Sequence, residues 1–279
     1  MTTVSFAGDL GDTLYLLASL PKLGGPFDLV LYPAPGMVRE PFFPEKVQRL
    51  KTFFELQPCI KQVRYSDQPE GRNLDGWRKG KWGRNRILAD MMAQHLGLPD
   101  PDRHTPWLRV DRPNRVAPVV VHRSPRYRDR SRFPWRKIVE HYGATNMIVV
   151  GSPDEFDQLN HDCGGGLQYH RTDDLLALAR VIAGAELFIG NQSAPFALAL
   201  GLGVNQIWLQ QHRDRKNNCC WQRPGVVFDR QKHYPALPVW SSKDCEAQPP
   251  AGFEVEYQGM RVANLDKLGT QAAAASSTR

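Results

Sequence analysis

Two carboxylates and two glycines stand together in Gly8-Asp9-Leu10-Gly11-Asp12, where a short apolar run gives way to an apolar helical pattern. Glycine at a strand-to-helix junction usually serves a phosphate, because backbone N–H groups there favour negative charge. Carboxylates at the same point repel one, so this turn is not an ordinary phosphate loop. A second cluster has the opposite sign. In residues 119–135 a run of three valines delivers His122, Arg123 and Ser124 to its end, with Arg126, Arg128, Arg130 and Arg132 following. Forked guanidinium donors suit diphosphate oxygens, and residues just past a strand in an open α/β sheet face the ligand crevice. Arg123 and Arg126, nearest the strand end, are the candidates; Arg130 and Arg132 fit a solvated loop, and His122 fits a scaffold role.

A third stretch, residues 187–203, reads as a strand running into Gly190, a turn of Asn191-Gln192-Ser193, and a helix. Ser193 is placed to cap that helix and Pro195 sits in its first turn, where a missing N–H is harmless. Backbone N–H groups at such a helix start form an anion site, although a capped structural helix has the same signature. A fourth stretch, residues 71–86, interleaves Arg72, Arg78, Lys79, Lys81, Arg84 and Arg86 with Trp77 and Trp82. Cations with aromatics suit a nucleic-acid strand or a phosphorylated saccharide, and also a loop with one or two buried tryptophans. Asp100-Pro101-Asp102 has a metal-holding spacing but lies in a proline-rich segment, where ordinary turn chemistry explains it.

The elements that position these residues alternate. Strands are predicted over 3–7, 27–32, 60–65, 117–124, 147–152, 186–190 and 205–210, and helices over 13–20, 44–55, 86–96, 134–142, 172–185 and 193–203. Strands with near-continuous apolar runs alternating with helices imply parallel sheets covered on both faces. The fold class is therefore α/β. Prolines at 99, 101, 106, 113 and 118 mark a linker, dividing the chain into an N-terminal domain, residues 1–112, and a C-terminal domain, residues 113–279, that ends in a frayed tail.

Bulk composition is that of a soluble globular protein. The chain has 279 residues and a formal charge of +7, which favours anionic partners. No run approaches the roughly 18 apolar residues of a membrane span, so a cytoplasmic protein without a transmembrane segment is expected. Five scattered cysteines with no C-x-x-C pair argue against a disulfide framework and against structural zinc. G-x-x-x-x-G-K-[ST], H-E-x-x-H and G-x-S-x-G are missing, and no G-x-G-x-x-G follows either first strand, which removes the commonest nucleotide and hydrolase signatures.

With these pieces in order, the chain resembles the ADP-heptose:lipopolysaccharide heptosyltransferases of glycosyltransferase family 9. The resemblance lies in LGDTLYLLASLPKL near the start and in DLLALARVIAGAELFIGNQSAPFALALGLG, spanning about half the chain. Gln192 and Ala194 stand where that family commonly has an aspartate and a glycine, and its imidazole near the helix start is missing.

The resemblance implies a GT-B architecture, two Rossmann-like parallel-sheet domains facing a cleft. It implies a nucleotide-diphosphate sugar as co-substrate, with no further cofactor and no metal. Asp12 matches the family's catalytic base, with Gly11 and Thr13 beside the acceptor. Arg123, Ser124, Arg126, Gly151, Gly190, Asn191, Gln192 and Ser193 would hold the donor. Arg78, Lys79, Lys81 and Trp82 would bind an anionic acceptor, either an envelope saccharide or glycolipid or a nucleic acid. The rival readings are a DNA-modifying glycosyltransferase acting on a hydroxylated base, and a non-catalytic module that binds sugar nucleotide or glycan.

Overall fold

The computed structural model describes residues 2–34, 36, 40–81, 87–125, 133–210 and 226–228. Two wholly parallel sheets organise them. The first is built from β1 (Thr2–Phe6), β2 (Phe27–Leu31), β3 (Ile60–Tyr65) and β4 (Arg72–Asn73), in the order β3-β2-β1-β4. The second contains β5 (Val119–His122), β6 (Met147–Val149), β7 (Gln168–Tyr169), β8 (Leu187–Asn191), β9 (Gln206–Gln210) and β10 (Val226–Phe228), in the order β10-β9-β8-β5-β6-β7. Helices α1 (Leu10–Leu16), α2 (Pro44–Glu55) and α3 (Leu88–His95) belong to the first half. The second half carries α4 (Trp135–Tyr142), α5 (Pro153–Cys163), α6 (Leu175–Ala183) and α7 (Ala194–Gly201).

The strands show why they are buried on both faces. In β5, Val120 faces one apolar cluster while Val119 and Val121 face another; in β8, Phe188 faces the first while Leu187 and Ile189 face the second. This period of two is the pleat of a strand covered by helices on both sides. The larger cluster is continuous between the halves, running from Val4, Phe6 and Leu29 through Leu14 and Phe196 to Phe188 and Ile207. Helices form the middle layer: α1 packs on α7, and α2 and α7 both pack on α6.

The proline-rich stretch around residues 97–118 is woven into this layer. Leu108 is wholly buried, the N–H groups of Trp107 and Leu108 both reach the Gly201 carbonyl at 2.9 Å, and Trp107 Nε1 donates to the Leu14 carbonyl at 2.9 Å. Helix α5 is one element that the periodicity does not predict. Its signal is a capping box: Ser152 Oγ accepts the Glu155 N–H, Glu155 accepts the Ser152 N–H, and Pro153 occupies the first turn. Asp174, rather than Thr172, caps α6. Part of the basic segment 71–86, read as a loop, is the short strand β4 and a 3-10 turn over Asp75–Lys79.

Candidate functional site

The acidic turn follows β1 and opens α1. Gly8 is the crowded glycine: a Cβ there would lie 2.8 Å from Asp12 Cβ and would also strike the Phe6 ring. Asp9 occupies the N-cap position but makes no cap bond; its Oδ1 accepts the Glu40 N–H at 3.2 Å, tying down the segment before α2. Thr13 is fully buried, and its hydroxyl donates to the Asp9 carbonyl at 3.2 Å. It closes the first turn and presents nothing to the solvent side.

Asp12 is partly exposed and meets Arg78, whose NH2 lies 2.9 Å from Asp12 Oδ2. The Arg78 guanidinium also lies 3.9 Å from Asp75 Oδ1 by its Nε, and 4.3 Å from the Trp77 ring centroid. Asp75 is buried, and its Oδ2 accepts the Ala7 N–H at 2.9 Å and the Tyr32 hydroxyl at 2.8 Å. Burial raises the Asp75 carboxyl despite these donors and the nearby Arg78 charge. Burial and the bond to Asp75 push the Tyr32 phenol up to about 12. A buried acid and phenol thus underlie the turn, two residues that no sequence motif singles out. Lys79 and Lys81 are exposed beyond Arg78, and Trp77 is buried. Trp82 and Arg126 lie outside the described residues.

On the second sheet, the turns after β5, β6 and β8 come together. Ser124 N–H donates to Asn191 Oδ1 at 2.9 Å, and Asn191 Nδ2 donates back to the Ser124 carbonyl at 2.7 Å. Ser193 caps α7, its Oγ accepting the Phe196 N–H at 3.4 Å and donating to the Asn191 carbonyl at 3.0 Å. Pro195 has no N–H and Phe196 uses its own on the cap, so the helix start offers fewer amides than its sequence implies. Gly151 has φ 129°, and a Cβ there would lie 2.6 Å from Glu155 Oε2; at Gly190 a Cβ would lie 2.7 Å from the His122 carbonyl. Gln192 is buried beside them.

His122 links these turns. Its Nδ1 lies 3.0 Å from Ser193 Oγ and its Nε2 lies 3.5 Å from Glu155 Oε2. Burial would raise the Glu155 carboxyl, but His122 and the Ser152 donors outweigh it and leave it lowered. The scaffold role read for His122 fits this placement. Glu155 was hidden in the unpredicted helix, with the S-x-x-E capping box as its signal.

Arg123 does not take the crevice position its place in the chain predicts. Alternation along β5 sends it to the face shared by Val119 and Val121, where it is 3% exposed, pairs with Asp162 at 2.8 Å and lies 6.0 Å from the Trp135 ring. It lines a cavity of about 380 Å³ with Trp135, Arg136 and Asp162, between α4 and α5. The physical reason is the period of two: its neighbours His122 and Ser124 turn the other way.

The two halves meet at the starts of α1 and α7. A Cβ on Gly11 would lie 3.8 Å from Ala194 Cα and N and 3.9 Å from the Ser193 carbonyl carbon. Gly11 therefore faces the second half rather than an open acceptor space. Asp12, one residue on, and Ser193 flank this junction at the carboxyl ends of parallel strands, where open α/β sheets bind ligands. Among the described residues no group of three or more His, Cys, Asp or Glu side chains comes together, and no helix is long and apolar enough to cross a membrane.

No protein-family model and no curated protein matches the chain. Solved structures do. A glycosyl transferase of family 9 from Veillonella parvula superposes with a TM-score of 0.55 at 14% identity, covering 98% of this chain and 96% of its own. The fold is GT-B. The E. coli heptosyltransferase WaaC with ADP superposes with a TM-score of 0.54 at 12% identity, over 81% of this chain and 92% of its own. The dodecameric iron-containing heptosyltransferase TibC, in complex with ADP-D-beta-D-heptose, gives 0.51 at 12% identity, over 98% and 78%. In fold the chain thus resembles the family 9 glycosyltransferases, as its sequence resemblance implies.

Proposed function

We propose that this protein is a glycosyltransferase that moves a sugar from a nucleotide-diphosphate sugar to a hydroxyl of an anionic acceptor, a phosphorylated envelope saccharide or glycolipid. The carrying observation is the junction where the acidic first turn of α1 abuts the capped start of α7, Gly11 against Ser193–Ala194. Glycosyl transfer needs a base on one wall for the acceptor proton and polar donors on the other for the departing diphosphate. Asp12 serves as that base: its carboxylate takes the hydroxyl proton while the acceptor oxygen bonds to the anomeric carbon and the bond to the diphosphate breaks. Ser124, Gly151, Gly190, Asn191, Gln192 and Ser193 form the donor side, Glu155 and His122 hold its turns, and Arg78, Lys79 and Lys81 form the acceptor side. Arg123 acts on the donor side through packing, since it is buried against Asp162.

Donor binding is taken to need no Asp-x-Asp metal. Asp102 is engaged in a turn, accepting from the His104 N–H at 2.9 Å and the Thr105 hydroxyl at 2.5 Å, which supports the turn reading of that motif. Hydrogen bonding to Thr105 and His104 keeps the Asp102 carboxyl lowered, as a committed acceptor should be.

The test is a thermal-shift panel of UDP-, ADP- and GDP-linked sugars, followed by release of nucleotide diphosphate from any that bind. Turnover that rises with a phosphorylated saccharide supports the proposal. Transfer only to hydroxymethylated DNA replaces the acceptor with nucleic acid, and tight binding without turnover makes the chain a sugar-nucleotide-binding module.

A further inference from the structure

Arg78 stands between two carboxylates of unequal standing. Asp75, at its Nε end, is fixed: it is buried and holds the Ala7 N–H and the Tyr32 hydroxyl. Asp12, at its NH2 end, is 21% exposed at the side chain and bonded at 2.9 Å. The Trp77 ring, 4.3 Å from the guanidinium carbon, sets the plane of the group. The guanidinium therefore has a fixed carboxyl 3.9 Å from its Nε on one side, a charge contact with no hydrogen bond, and an exchangeable, partly exposed partner on the other. The exchangeable partner is the same carboxylate oxygen that would take a proton from an acceptor.

We propose that Arg78 reads an anionic group on the acceptor by exchanging it for Asp12. A phosphate of the acceptor takes over the terminal guanidinium nitrogen, Arg78 stays against Asp75, and Asp12 Oδ2 is released toward the hydroxyl of the same molecule. One charge-assisted hydrogen bond replaces another, so the exchange is near balance, and a modest anion can drive it. A neutral acceptor leaves the pair closed. Exposed Lys79 and Lys81, just beyond Arg78 in the chain, add positive charge for the incoming group. Arg78 is thereby a specificity-determining residue for acceptor charge. This rests on the reading of Asp12 as the base of a glycosyl transfer.

The experiment is a titration of the full chain, labelled with ¹⁵N-arginine, with methyl phosphate, following the Arg78 Nε–H resonance, which Arg78→Lys identifies by its loss. A saturable shift is expected in the native protein. Asp12→Asn, which removes the competing carboxylate, is expected to tighten methyl phosphate about fivefold. Asp12→Ser is expected to do the same, which separates loss of charge from a local defect of the amide variant. No shift at Arg78, or unchanged affinity in both Asp12 variants, overturns the proposal whatever the transfer assay gives. Dimethyl phosphate distinguishes the sources. A response to methyl phosphate alone supports a phosphomonoester on a saccharide, and a response to both supports a phosphodiester backbone reading the same arginine. If the exchange is observed but no nucleotide sugar turns over, the anion exchange stands and the transfer reading falls.

Discussion

Gly11 lies against Ala194, with room for a methyl group but little more: a Cβ on Gly11 would stand 3.8 Å from the Ala194 backbone. Through this contact the first turns of two helices from different halves of the chain share one junction. Gly11→Ala is expected to fold with near-native stability, because that distance is an ordinary van der Waals contact. Gly11→Val overfills the junction and is expected to lose about 1–3 kcal/mol, measured by urea unfolding. Gly8→Ala is expected to lose a similar amount despite its smaller side chain, since its Cβ would lie 2.8 Å from Asp12 Cβ.

Asp12→Asn keeps the shape of the turn and removes the proton acceptor. Transfer is expected to fall by roughly 10²–10⁴-fold, the usual size of a general-base contribution. Its unfolding free energy is expected to change by about 1 kcal/mol or less, because the pair with Arg78 is partly exposed. Steady-state nucleotide release, measured beside a urea melt, checks both. Near-native turnover would remove Asp12 from the mechanism.

The segment around Leu108 is expected to behave as core. Leu108→Ala should cost about 2–5 kcal/mol, as for other fully buried leucines. Trp107→Phe loses the bond from the indole to Leu14 and should cost about 1 kcal/mol. Chemical denaturation of both variants tests this, and a silent Leu108→Ala would restore the picture of a free linker.

Glu155 carries an acid-sensitive share of stability. Its carboxyl is lowered in the folded protein, so the unfolded chain binds more protons in the interval between the two titrations. The stabilisation is therefore complete above the ordinary glutamate range and is lost as the pH falls through the folded value. The stability gap between the native protein and Glu155→Gln is expected to narrow as the pH drops from about 6 to 3. Urea melts at successive pH values measure it, and a constant gap would count against the His122–Glu155 pairing.

Cys59 and Cys163 are both buried, and burial pushes each thiol up to about 11. Neither should be modified by iodoacetamide at about pH 8 until the chain unfolds, because the thiolate is the reactive form. Mass spectrometry of the alkylated protein, native against denatured, reports this directly.

Local pattern alone was enough for the α/β class, helix α2 and strand β3 at their observed bounds, the Ser193 cap, and the turn role of Asp102. Each of these depends on neighbours a few residues away, through the apolar period, a capping side chain or an Asp–Pro turn. It also placed Asp12 at a strand end in a family pattern. What pairs across the chain was decided only in three dimensions. Arg78 reaches Asp12 over 66 residues and Ser193 reaches His122 over 71, and no spacing rule connects them. Arg123 was misplaced because its direction depends on the face of β5 that it shares with Val119 and Val121, and its partner Asp162 sits on a helix that periodicity did not predict. The acidic turn in Gly8–Asp12 was legible as a place for chemistry. Its counterion and its buried support in Asp75 and Tyr32 come from the fold of the first sheet, and its meeting with α7 at Gly11 exists only because the two halves pack through their helices.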